Sequence, residues 1–131
     1  MAQRQALPNE DDMSVRIIRT KVFWWSAVIG YGALILVVSV VPVPVDLSIG
    51  HLDKVAHVCE YLVFAWLLVQ AVRLGRLRER EYLLFAWLFA TSYGALIELI
   101  QWLLPWRSAE WLDGVANAVG AAIGVWLGDK W

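Results

Sequence analysis

Hydrophobic positions fall into four long blocks separated by short polar breaks. The first, Val22–Val45, runs 24 residues without a charge. About 20 apolar residues in a helix cross the roughly 30 Å hydrocarbon core of a bilayer, so this block is long enough to span. It is too long for a signal-peptide apolar region, and Pro42-Val43-Pro44 follows in place of a small-residue cleavage site. The prolines remove backbone donors and end the helix near Val41. In the second block, Leu52–Val72, the uninterrupted part is only Tyr61–Val72. To span, it must take in Asp53, Lys54, His57 and Glu60 at its start. The third, Tyr82–Leu104, is interrupted by Glu98 near its end. The fourth, Trp111–Lys130, carries Asp113 near its start and is uncharged over Gly114–Gly128. These blocks predict four transmembrane helices at about 22–41, 52–72, 82–104 and 111–130. A polar tail, 1–21, precedes them and is helical near Met13–Thr20.

Composition agrees with this and narrows it. Of 131 residues, 60% are hydrophobic and 18% charged, against about 45–50% and about 25% in a typical soluble domain. Mean hydropathy is +0.59. Disorder, collagen and coiled coil are excluded. With 11 Lys/Arg against 12 Asp/Glu, no nucleic-acid partner is expected. One Cys excludes an intrachain disulfide framework and a Cys-rich zinc module. The class that remains is an all-α integral membrane protein, a four-transmembrane-helix bundle.

Charge placement sets its direction. The tail carries Arg4, Arg16, Arg19 and Lys21, and the second connection carries Arg73, Arg76, Arg78 and Arg80. The Pro42–His51 connection has no Lys or Arg, and Pro105–Glu110 has only Arg107. The positive-inside rule then predicts both termini and the Arg73–Glu81 loop in the cytoplasm. Trp24, Trp25, Trp102, Trp106, Trp111 and Trp131 lie near span ends, as interfacial anchors do. Trp66, Trp87 and Trp126 lie deeper, against other helices or lipid.

With that orientation, the charged ends of the last three helices all fall on the outer side. At 1.5 Å per residue, His57, Glu98 and Asn117 sit at a similar depth, roughly 9–10 Å in. Asp53, His57 and Glu60 share one helical face, as do Glu98 and Gln101, and Asp113, Asn117, Gly120 and Gly124. Gly120, Gly124 and Gly128 form two GxxxG repeats suited to close helix packing. The expected site is an outward-facing polar cavity lined by Asp53, Lys54, His57, Glu98, Gln101, Arg107, Asp113 and Asn117. Structural roles compete at each position. Lys54 could snorkel at the boundary, Asp113 could cap the fourth helix, and Glu98 could pair with Arg107 or Lys54. Arg107 at the mouth suits a phosphate or carboxylate. His57, Glu98 and Asp113 are the candidate acid/base groups. The carboxylates with His57 could also hold a divalent cation. No HExxH or similarly tight spacing is present, and the expectation is no metal and no cofactor. No nucleophile motif appears, and Ser108 and Cys59 are unsupported in that role, which favours binding over catalysis.

Asp53-Lys54-Val-Ala-His57 with Tyr61, then Glu98-Leu-Ile-Gln101, Pro105-Trp-Arg107-Ser108, Asp113, Asn117, Gly120 and Gly124, resembles the VanZ-like membrane protein family. The likeness covers three of the four predicted spans in order and spacing. Glu60 and Trp106 depart from the usual apolar or small residues, and no role is carried over to Glu60. The resemblance implies a multi-pass protein of the bacterial cytoplasmic membrane and cell envelope. The family is named for a factor in resistance to the antibiotic teicoplanin, and its molecular activity is not established. The partner it implies is membrane lipid, through a lipid headgroup or a lipid-linked or glycopeptide-related ligand. Two alternatives stay open. One is a membrane enzyme acting on a lipid-linked envelope precursor. The other is a subunit whose Gly120/Gly124/Gly128 face docks a membrane-protein partner.

Overall fold

The computed structural model describes residues 10–42, 52–107 and 110–131. They form four helices and, among the described residues, no strand: α1 (Glu10–Val40), α2 (Leu52–Val72), α3 (Glu79–Trp102) and α4 (Trp111–Asp129). The boundaries of α2, α3 and α4 lie within three residues of those predicted. α1 runs unbroken for 31 residues through positions 21 and 22, where the polar tail was expected to meet the first span. At 1.5 Å per residue α1 is roughly 46 Å long. That exceeds the hydrocarbon thickness, so its charged first turns extend beyond an apolar stretch that alone could cross. The Pro42–His51 connection beyond Pro42 lies outside the described residues, as does Ser108.

Side-chain contacts give the helix directions. Tyr93 reaches Gly32, and Gln101 reaches Ser39, so α1 and α3 run parallel. Lys54 reaches Asp113, and Gln70 reaches Gly128, so α2 and α4 run parallel. The α3–α4 groove places Ala95 beside Gly114, while Leu83 lines a second groove with Val125, so α3 opposes α4. The four helices therefore alternate in direction. α2 is the central one, with 44% of its apolar window buried against 22% for α1 and for α3.

What each helix buries explains the packing. α3 turns inward Ala86, Ala90, Gly94, Ile97 and Gln101, and α1 turns inward Val28, Gly32, Ile35 and Ser39. Large apolar side chains point outward instead: Ile29 is 68% exposed, Leu84 and Leu99 56% each. Small and polar groups inside with large apolar groups outside is the arrangement lipid selects, because apolar burial drives no association there. The two largest core side chains, Tyr61 and Phe64, come from α2.

The α2–α4 pair approaches most closely. A methyl group added at Gly120 would strike the Val58 carbonyl, and one at Gly124 the Leu62 carbonyl. The i, i+4 glycines of α4 thus lie against i, i+4 carbonyls of α2, where backbone contact and Cα–H···O geometry replace side-chain packing. Gly128, one turn further along α4, meets the Val69 side chain instead. Three helices, Glu10–Val40, Asp53–Val72 and Glu79–Trp102, are long and apolar enough to cross a membrane. α4 is not among them: its glycines, Asp113 and Asn117 dilute its apolar content.

Candidate functional site

The polar residues singled out by sequence gather at the end of the molecule where α2 and α4 begin and α1 and α3 finish. They divide into three groups with different surroundings.

The first group closes α1. A helix leaves its last carbonyls without intrahelical donors. Here proline sharpens the deficit, because Pro42 and Pro44 have no N–H to offer the carbonyls four residues back, Val38 and Val40. Side chains following or ending α3 supply those donors. Arg107 Nε donates to Ser39 O at 2.8 Å, and its Nη2 to Val38 O at 3.1 Å. Gln101 Nε2 donates to Ser39 O at 3.2 Å, and Trp106 Nε1 to Val40 O at 3.1 Å. Arg107 and Gln101 were expected to face a ligand. The structure commits them to the α1 terminus, and among the described residues Arg107 forms no ion pair.

The second group joins the starts of α2 and α4. Lys54 Nζ bridges Glu110 Oε2 at 2.8 Å and Asp113 Oδ1 at 3.3 Å. Asp113 was a possible cap for α4, but with the helix starting at Trp111 the cap position falls on Glu110. Glu110 occupies the N-cap position without a side-chain cap bond, while Asp113 lies inside the first turn, 4% exposed, with its carboxylate turned to α2. Both helix N-termini meet here, and their partial positive charge favours Asp53 and Asp113 in first turns. The Lys54 ammonium holds the exposed Glu110 carboxyl below its usual range. Sequence reasoning missed Glu110; its signal was the i, i+3 spacing to Asp113.

One turn deeper, His57 Nδ1 lies 3.1 Å from Asn117 Oδ1. With its proton on Nδ1, His57 would donate to that amide oxygen, which only accepts. One donor atom from each of Asp53, His57 and Asp113 lies within 4.8 Å of the others, the set best placed to hold a metal ion.

The third group lies between α2, α3 and α4, around Gly94. A methyl group there would meet Asn117 Nδ2 at 2.9 Å and Tyr61 Cε1 at 3.0 Å. Glu98 is one turn further along α3. It pairs with neither Arg107 nor Lys54, the two partners considered from sequence. Both of its carboxylate oxygens, the Tyr61 hydroxyl and Asn117 Nδ2 are buried without a hydrogen-bond partner among the described residues. An unpaired polar atom so placed costs about 1–3 kcal/mol, and more for a charged one. Tyr61 carried no site role in the sequence reading; its signal was the i+4 spacing from His57.

Other residues have plain structural placements. Gly120, Gly124 and Gly128 face α2, so the face considered for docking another protein's helix is already covered by this chain. Trp87 donates to Ala118 O at 3.2 Å between α3 and α4. Trp66 meets Trp24 edge to face at 5.6 Å. Trp126, 58% exposed, lies under the Lys130 ammonium. Two grooves open along α3 and α4, the larger about 610 Å³ and lined by Trp87, Ala95, Trp111, Gly114 and Val115 among others. Both are largely apolar, and neither is lined by His57 or Glu98.

The sequence match is extensive. The VanZ/LLP1 family model matches residues 7–129. The chain belongs to the VanZ/LLP1 family. The match takes in all four helices and every residue of the three groups, apart from the first few residues and the last two of the chain. No curated protein and no solved structure matches the chain.

Proposed function

We propose that this VanZ/LLP1 family member is a four-span envelope protein of the bacterial cytoplasmic membrane that binds a polar lipid headgroup at its outward-facing Asp53 end. The observation that carries the reading is the set of complementary groups around Gly94. Tyr61 and Asn117 offer donors, and Glu98 offers acceptors, all buried and without protein partners. A headgroup bearing hydroxyl, amine or amide groups meets all three. A polar ligand is favoured here over an anionic one, because Lys54 and Arg107 already hold protein partners.

The four-span arrangement is supported by the parallel α2–α4 pair. α4 lies beside α2 from Asp113 to Gly128, at the depth of a helix that can cross by itself. The arginines of the 73–80 connection lie at the other end of the molecule, which supports cytoplasmic termini. A role in glycopeptide resistance belongs to the family's name, and nothing in this site selects a glycopeptide over another polar ligand.

Native mass spectrometry of the protein released from lipid tests the reading. The expected result is a retained lipid in the wild type, depleted in Glu98→Ala and Asn117→Ala and kept in Trp126→Ala at the distal end. Equal retention in all four, or none in the wild type, overturns it.

A further inference from the structure

We infer that Asp53, His57 and Asp113 form a divalent-cation site where α2 and α4 begin. The inference stands apart from the headgroup reading, since its ligand residues, Asp53, His57 and Asp113, are not the Tyr61, Asn117 and Glu98 of that reading. Asp53 and His57 are i, i+4 on one face of α2. The close glycine contact of α4 with α2 brings Asp113 against that face. One donor atom from each residue lies within 4.8 Å of the others, yet His57 forms no ion pair with either carboxylate among the described residues. The three are too far apart to bond one another and close enough to share one ion. A cation about 2.0–2.4 Å from each donor needs only a small inward side-chain rotation. One imidazole with two carboxylates suits Mn²⁺ or Zn²⁺.

Asn117 supplies the independent observation. Its Oδ1 lies 3.1 Å from His57 Nδ1, where an outer contact of the kind that orients metal-bound histidines would leave Nε2 for the ion. Charge points the same way. Lys54 and the two helix N-termini together offset about two of the three negative charges of Asp53, Glu110 and Asp113. Lys54 also has a partner to keep. At 2.8 Å from Glu110 it can leave Asp113, at 3.3 Å, without losing its ion pair.

The test uses the full chain in phosphatidylcholine nanodiscs, treated with chelator and titrated with Mn²⁺ under electron paramagnetic resonance. The expected result is one Mn²⁺ per chain with nitrogen hyperfine coupling. His57→Gln abolishes that coupling. Asp53→Asn, at an exposed residue whose loss leaves the packing intact, weakens binding about tenfold or more, and Asn117→Ala about tenfold. Lys54→Met tightens binding, an effect that a purely structural lysine bridge does not predict. Absence of stoichiometric Mn²⁺, coupling that survives His57→Gln, or unchanged affinity in Asp53→Asn overturns the site.

Discussion

Arg107 shows how a residue's type and place can be legible while its partner is not. A lone arginine at the polar end reads as an anion receptor, yet its fork closes on Ser39 and Val38 carbonyls 68 and 69 residues earlier. Pro42 and Pro44 held the clue, since a helix stopped by prolines leaves carbonyls that must be met from elsewhere. Arg107→Ala is expected to destabilise the protein by about 2 kcal/mol, read as a lower midpoint of thermal unfolding in detergent. Arg107→Lys should not restore it, because a point ammonium cannot serve two carbonyls as a planar fork does. Full stability in Arg107→Ala contradicts the capping role. Glu110 gives a pH test. Its carboxyl is held below the usual range by Lys54. The contact is therefore complete above the ordinary glutamate range and is lost as pH falls through the depressed value. Carbon-13 NMR of the Glu110 carboxyl should show that depression in the wild type and its disappearance in Lys54→Met. His57, Asp113 and Asn117 lie together at the end where charge position and depth along each helix put them. Tyr61 and Glu110 were not, because contact across helices depends on rotation about each axis, which spacing within one helix does not fix.

At the scale of the element, helix positions followed directly from apolar length and from prolines, and α2 begins and ends where predicted. The start of α1 was less legible. Polarity marks where lipid ends, whereas nothing in Glu10–Lys21 breaks a helix, so the two boundaries separate. The glycines of α4 announced close packing but not which helix they meet, and the structure identifies α2. Gly120→Leu and Gly124→Leu should therefore cost stability at or beyond the upper end of the roughly 1–3 kcal/mol typical of overpacking, since backbone cannot yield as a side chain can. Gly114 has no atom within 4 Å of an added methyl, so Gly114→Ala should be neutral or gain up to about 1 kcal/mol of helix propensity. Equal behaviour of Gly114→Ala and Gly124→Leu in chemical unfolding contradicts the close α2–α4 contact.

For the whole molecule, the sequence presents four apolar blocks that reverse direction at each connection; the structure has that alternation and adds the pairing of α2 with α4. The polar groups gather at one end because the chain reverses between helices: charges at the start of α2, the end of α3 and the start of α4 become neighbours. The division of that end into a cap on α1, a lysine bridge and an unpaired polar cluster was not legible, because it depends on distances across three helices. The central claim is that this end faces outward. Single-cysteine labelling tests it most directly. With Cys59 replaced by Ala, Asp53→Cys and Arg76→Cys are each expressed in cells and exposed to a membrane-impermeant maleimide. The account predicts labelling at position 53 in intact cells and at position 76 only after permeabilisation. The reverse pattern, or labelling of both positions from outside, contradicts it.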